Sequence, residues 1–128
     1  MALPKSMRLK GHRTFKYIHR NSKKIYGDSM DLRITKSNPR ILTSHNIKDG
    51  ISNFKLAISV SKKVSKKSVT RNKIRRFLQD KFLENFKKEY THIPYWVLVN
   101  LKVGTSINNK EKLLKEFQFL FSKSGLLK

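Results

Sequence analysis

Apolar and polar residues alternate along positions 54–61, with Phe54, Leu56, Ile58 and Val60 set between Lys55, Ala57, Ser59 and Ser61. A period of two predicts a strand with one face on a core. The period then changes. Ile74, Phe77, Leu78, Phe82, Phe86 and Tyr90 recur at three- and four-residue steps, which predicts a helix with a buried stripe. Ser68 or Thr70, whose hydroxyls suit an N-cap, is its expected start.

The same patterns extend to both sides. Residues 1–10 are basic and read as extended, with Leu9 as an apolar anchor. Residues 11–21 read as a short helix in which Phe15 and Ile18 share a face and Tyr17 lies off it. Residues 23–26 suit a short strand, Gly27 and Asp28 a turn, and Met30, Leu32 and Ile34 alternate with Asp31, Arg33 and Thr35 in a second strand. Residues 36–53, with Pro39, Asn46, Asp49 and Gly50, read as a long loop holding at most a brief strand at 41–43. Beyond Pro94, residues 95–102 (YWVLVNLK) form a nearly continuous β-forming run, expected to be covered on both faces and parallel to the 54–61 strand because a helix joins them. Gly104 breaks this run, Asn108 or Asn109 caps a last helix with Leu113, Leu114, Phe117, Leu120 and Phe121 on its apolar face, and Gly125 ends it. The expected fold is a single α+β domain over 1–128, an α/β sandwich in the order αβββαβα.

Charge changes the picture. Thirty Lys and Arg against eight Asp and Glu leave a net charge of +22 and a pI near 10.6, which points to a polyanionic partner. Hydrophobic residues make up 38% of the chain, enough for a core and against disorder. No apolar run of membrane-spanning length and no signal-peptide core after Met1 stand in the sequence, so nucleic acid is favoured over a membrane. Absence of cysteine excludes disulfides and thiolate metal sites and fits a reducing cytoplasm.

The positive charge is concentrated. Between Ser61 and Arg76 stand Lys62, Lys63, Lys66, Lys67, Arg71, Lys73, Arg75 and Arg76, without an acid. Cations at a helix start oppose the macrodipole by roughly 0.3 to 1 kcal/mol each at low salt. A polyanion at that end removes the conflict, because phosphate is attracted both by free N–H groups and by the side chains. Arg71, Asn72, Arg75 and Arg76 stand at i, i+1, i+4 and i+5 and form one flank turned from most of the apolar stripe.

Residues 59–63 (Ser-Val-Ser-Lys-Lys) and 71–76 (RNKIRR), with Arg8, Leu9, Lys10 and Phe15, resemble the protein subunit of bacterial ribonuclease P. The resemblance covers most of the chain and is weakest over residues 36–53. It implies a left-handed crossover between the parallel strands, where general statistics favour the right-handed one. It also implies a subunit of a ribonucleoprotein endoribonuclease that removes the 5′ leader of precursor tRNA, with hydrolysis and Mg²⁺ binding carried mainly by the catalytic RNA subunit. On that resemblance Arg71, Asn72, Lys73, Arg75 and Arg76, with Lys62, Lys63, Lys66 and Lys67 beside them, meet RNA. Phe15, His19, Arg33, Ala57 and Ser59 line the leader cleft. Two positions depart from the family: His19 and Arg33 stand where aromatics are common, and both can still stack on a base. The 64–68 stretch, Val-Ser-Lys-Lys-Ser, replaces one that usually contains Gly.

Catalytic machinery of the polypeptide itself is not expected. The eight acids, Asp28, Asp31, Asp49, Asp80, Glu84, Glu89, Glu111 and Glu116, form no ligand motif. Asp80 and Glu84 are expected to pair with Lys87 or Lys88 on the helix surface. His12, His19, His45 and His92 lack metal spacing, and Ser61, Ser65, Ser68 and Ser106 lack a partner that would mark a nucleophile. No catalytic or metal-ligating residue is therefore assigned. A non-enzymatic RNA-binding module, such as a ribosomal or assembly protein, is the alternative; without helix-turn-helix spacing, DNA is not an expected partner.

Overall fold

The computed structural model describes residues 8–9, 11–36, 54–86, 93–102 and 110–124. Within them the order is α1 (His12–Asn21), β1 (Lys23–Tyr26), β2 (Met30–Lys36), β3 (Lys55–Ser59), α2 (Ser68–Asn85), β4 (Tyr95–Leu101) and α3 (Lys110–Lys123). The expected strand at 41–43, the caps at Asn108 or Asn109 and Gly125, and Tyr90, Lys87 and Lys88 lie outside these residues.

The four strands form one sheet in the order β1-β2-β4-β3. β1 with β2 and β2 with β4 are antiparallel, whereas β3 and β4 run parallel, as a helical connection requires. One face of the sheet is thickly covered. Ile25, Leu32, Ile34, Leu56, Ile58, Val97 and Val99 meet Ile74, Leu78 and Phe82 of α2 and Leu113, Phe117, Leu120 and Phe121 of α3 in one buried cluster. Its centre is aromatic: Phe82 stacks on Phe54 at 5.3 Å between centroids and tilts against Phe121 at 5.7 Å, while Phe117 meets Phe121 edge-on at 4.9 Å. Such offset and edge geometries add about 0.5 to 1.5 kcal/mol per pair to the burial itself.

Among the described residues the other face is covered by α1, through a small cluster of Leu9, Ile18, Trp96 and Leu98 with Phe15 and Ala57 at its margin. Tyr17, expected off the packed face, instead sets its ring edge-on to Trp96 at 6.1 Å. The indole is large enough to be reached from the neighbouring flank of the helix. Gly11 precedes α1 with φ 93°, in the left-handed region where a side chain is strained, and its carbonyl accepts the Phe15 N–H at 3.2 Å.

The β1–β2 turn is fixed to α3. The N–H groups of Asp28 and Ser29 donate to the Glu116 carboxylate, from Ser29 at 2.9 and 3.0 Å. Gly27 allows this approach, since a Cβ there would stand 2.7 Å from Met30 O and 3.0 Å from Glu116 Oε1. On the surface of α2, Glu84 pairs with Lys81 at 3.3 Å, and the pair is exposed; the expected pairing with Lys87 or Lys88 falls outside the described residues.

Candidate nucleic-acid interface

The cationic segment begins where β3 ends. Val64 N–H closes a turn on Ser61 O at 3.0 Å, and Val64 packs on the core cluster. No non-glycine residue here has positive φ, so the Val-Ser-Lys-Lys-Ser sequence makes the turn without a glycine. Helix α2 then starts at Ser68, with Lys67 as N-cap and no side-chain capping bond. The expected Ser68 or Thr70 cap is thus corrected. Arg71 stands in for part of the missing cap, because its Nη1 donates to Ser65 O at 2.9 Å and Lys66 O at 3.1 Å and so ties the loop to the first turn.

Arg75 is likewise held by the protein. Its Nε donates to Ile58 O at 3.3 Å, and its Nη1 to Asn72 Oδ1 at 2.7 Å. On the outer edge of the sheet, the preceding outward carbonyl, Leu56 O, accepts Leu9 N–H at 3.2 Å. The backbone of residue 9 and the guanidinium of Arg75 together cover the edge of β3. Arg71 and Arg75 are consequently half-buried, a correction to the picture of one free flank. Lys62, Lys63, Lys66, Lys67, Asn72, Lys73 and Arg76 are exposed. The pairs Lys81–Glu84 and Lys102–Asp31 lie outside this patch, and the first turn of α2 has no acid. Its charge is left for an outside anion.

The second part of the site is the thin face of the sheet. Cross-strand neighbours point to the same side, so the register sets Arg33, Leu98 and Ala57 in one row and Asp31, Asn100 and Ser59 in the next. Burial falls along this face. Trp96 and Leu98 are covered by α1, Arg33 and Ala57 are half-buried, Asp31 and Asn100 are half-buried, and Ser59 is exposed. Helix α1 therefore covers one end of the face and leaves the end that leads into the cationic turn. Phe15 shares the small cluster with Ala57, and His19 is exposed one turn further along α1.

Asn100 joins this face without having stood out in the sequence pattern. The 95–102 run is expected to be covered on both faces, yet its one amide falls where that cover ends. A polar residue inside an otherwise apolar strand is the signal that could have found it. Among the described residues no group of three or more His, Asp or Glu gathers as a metal site, and no helix is long and apolar enough to cross a membrane. His45, His92 and Ser106 lie outside those residues.

Comparison with known proteins places this geometry. A family model described as Ribonuclease P matches residues 3–125. A ribonuclease P protein component of Prochlorococcus marinus strain MIT 9515 is 64% identical over 127 residues, covering 99% of this chain and 98% of the relative. Its counterpart in strain MIT 9312 is 59% identical over 128 residues, covering 100% of both. Among solved structures, the Staphylococcus aureus RNase P protein superposes with a TM-score of 0.72 at 20% identity, over 95% of this chain and 98% of that one. The Thermotoga maritima RNase P protein gives 0.68 at 17% identity, over 91% and 96%. At those identities the structures speak for the fold, while the family match and the relatives speak for descent: the chain belongs to the ribonuclease P protein family, the protein subunit of ribonuclease P.

Proposed function

We propose that this subunit works in the cytoplasm by holding two RNAs at once, the catalytic RNA of ribonuclease P at the start of α2 and the leader of precursor tRNA on the open end of the sheet. The observation that carries this reading is the junction at Ser59. There an uncovered sheet face runs directly into a turn and helix start bearing eight cations. Lys62, Lys63, Lys66, Lys67, Lys73 and Arg76 meet phosphates, while Asn72 supplies an amide beside them. Arg71 and Arg75 keep this surface in place through their carbonyl contacts and retain further N–H groups with which to donate to phosphate. Phe15 and His19 offer rings, and Arg33, Ala57 and Ser59 the floor, for a single strand.

Cleavage of the phosphodiester bond then falls to the RNA. On this reading the Mg²⁺ ions that support hydrolysis take their ligands mainly from RNA, and the protein acts by fixing where the RNA phosphates lie. Reconstitution tests this directly. Purified protein added to the cognate RNA subunit and a precursor tRNA at low Mg²⁺ is expected to stimulate cleavage at the mature 5′ end; absence of stimulation refutes the reading and favours a non-enzymatic RNA-binding module.

A further inference from the structure

Among the described residues three large apolar side chains stand mostly in solvent, Tyr26 at 65%, Val69 at 64% and Phe119 at 62%. Val69 lies in the first turn of α2, within the cationic patch. The other two line one cavity of about 370 Å³ between the β1–β2 turn and α3. Exposed rings gathered in one place point to something that covers them.

The cavity is built in advance. Glu116 accepts the N–H groups of Asp28 and Ser29, and Gly27 sits so close to α3 that a Cβ would stand 3.0 Å from Leu120 Cδ1, so the turn is held against the helix without a ligand. The same bonds engage both oxygens of the Glu116 carboxylate and leave Asp28 as the other acid of the lining. Cations outnumber these two. Along α3, Lys112, Lys115, Phe119 and Lys123 stand at i, i+3, i+7 and i+11 and so share one stripe about 16 Å long. Lys112 and Lys115 line the cavity, the Lys123 ammonium sits 6.0 Å from the Phe119 ring centroid, and the Lys102 ammonium sits 5.7 Å from that of Tyr26. Rings and ammonium groups are thus interleaved.

A protein partner matches this poorly, because the centre of such an interface is depleted of charged residues, whereas here each ring has an ammonium beside it. Single-stranded nucleic acid matches it well, since bases stack on aromatic rings while lysines take the phosphates. The precursor tRNA is engaged through its leader on the face that carries α1, and β1 is the edge strand farthest from β3, three strand spacings or about 14 Å away. That leaves the catalytic RNA as the strand that reaches α3.

We infer that the cavity between the β1–β2 turn and α3 is a second contact for the catalytic RNA, taking an unpaired nucleotide whose base stacks on Tyr26 and Phe119 and whose flanking phosphates meet Lys115 and Lys123. Stacking tolerates every base, so the site reads unpaired structure and not sequence. It rests on the reading that the start of α2 binds the same RNA, and adds an anchor at the opposite edge of the sheet.

The test measures affinity of the protein for the catalytic RNA with two variants, Phe119→Leu, which keeps an apolar side chain, and Phe119→Trp, which keeps a ring. Phe119→Leu is expected to weaken binding about tenfold without altering its salt dependence, and Phe119→Trp to bind as the parent does. Lys115→Gln is expected to lower the slope of log affinity against log salt by about 0.7. In the reconstituted holoenzyme, a photoreactive benzoylphenylalanine in place of Phe119 is expected to crosslink to an unpaired nucleotide of the catalytic RNA. Parent-like binding by Phe119→Leu overturns the inference, as does a crosslink to precursor tRNA, to a second protein copy or to a paired segment, or the lack of any crosslink. If Arg76→Gln lowers the salt slope while Phe119→Leu changes nothing, the α2 contact stands and the cavity contact alone falls; if neither variant changes affinity or slope, the reading of α2 falls with it.

Discussion

The two faces of the sheet are made from the same strands and do different work. On one, two helices bury an aromatic cluster built from Phe54, Phe82, Phe117 and Phe121. On the other, α1 covers Trp96 and Leu98 and then stops, leaving Asp31, Asn100 and Ser59 partly or fully open. Apolar burial at roughly 25 cal/mol per Å² is proportional to area, so stability is concentrated on the thick face. The thin face can leave polar groups accessible because the fold does not depend on closing it. That division also explains why β3 matters to both. Leu56 and Ile58 enter the large cluster, Ala57 and Ser59 face the open side, and the strand ends in the cationic turn.

The largest effect is expected from cutting the thick face. Phe82 is fully buried and touches Phe54, Phe86 and Phe121. Phe82→Ala is expected to lower the unfolding free energy by about 3 to 5 kcal/mol, a large share of the ~5 to 15 kcal/mol of a typical domain. Ile18→Ala on the thin face removes a buried side chain from a much smaller cluster and is expected to cost about 2 to 3 kcal/mol, with the loss of amide protection strongest in α1. Denaturant titration and hydrogen exchange check both. If Ile18→Ala proves as costly as Phe82→Ala, the contrast between the faces is wrong.

Much of this was legible in the sequence because it depended on periodicity. The alternation at 54–61, the three-and-four stripe of α2 and the apolar run of β4 are local patterns, and each became the element expected. What was not legible depended on which groups meet across the fold. The half-burial of Arg71 and Arg75 comes from carbonyls at Ser65, Lys66 and Ile58, and no spacing rule reveals a side chain bonded to backbone. Glu116 looked like an acid without a motif, yet it receives two N–H groups of a turn 87 and 88 positions away. The uncovered end of β4 was hidden for the same reason. Its composition reads as buried on both sides, and only the length and placement of α1 decide where cover ends. For the candidate site, the cationic cluster is visible as composition, whereas the row of Asp31, Asn100 and Ser59 requires the strand register.

A smaller effect sharpens the functional side of the comparison. Phe15 is half-buried at the margin between the small cluster and the open face. Phe15→Ala is expected to weaken binding of a leader-bearing precursor tRNA to the holoenzyme by about tenfold, within the ~1 to 3 kcal/mol of a base–aromatic stack. Its cost in folding stability is expected to be about 1 kcal/mol, since only part of the ring leaves water. Binding of a leaderless tRNA serves as the control. Equal weakening of both substrates would assign Phe15 to packing alone and place the leader elsewhere.

The smallest effect separates two neighbouring arginines on the border of the two regions. Arg76 is exposed, with its charge open to a phosphate, whereas Arg75 is half-buried and bonded to Ile58 O and Asn72 Oδ1. Each phosphate contact contributes about 0.7 to 0.9 to the slope of log affinity against log salt. Arg76→Gln is therefore expected to reduce that slope for the catalytic RNA by about 0.7 with unfolding unchanged. Arg75→Gln removes the Nε–H that covers Ile58 O at the sheet edge and is expected to cost about 1 kcal/mol of stability, with a smaller change in slope. Salt titrations of RNA binding paired with denaturant unfolding give both numbers for each variant. Were Arg76→Gln to leave the slope intact while Arg75→Gln lowered it by a full contact, the half-buried guanidinium would be the one that meets RNA, and the boundary between supporting and binding groups would have to move inward by one residue.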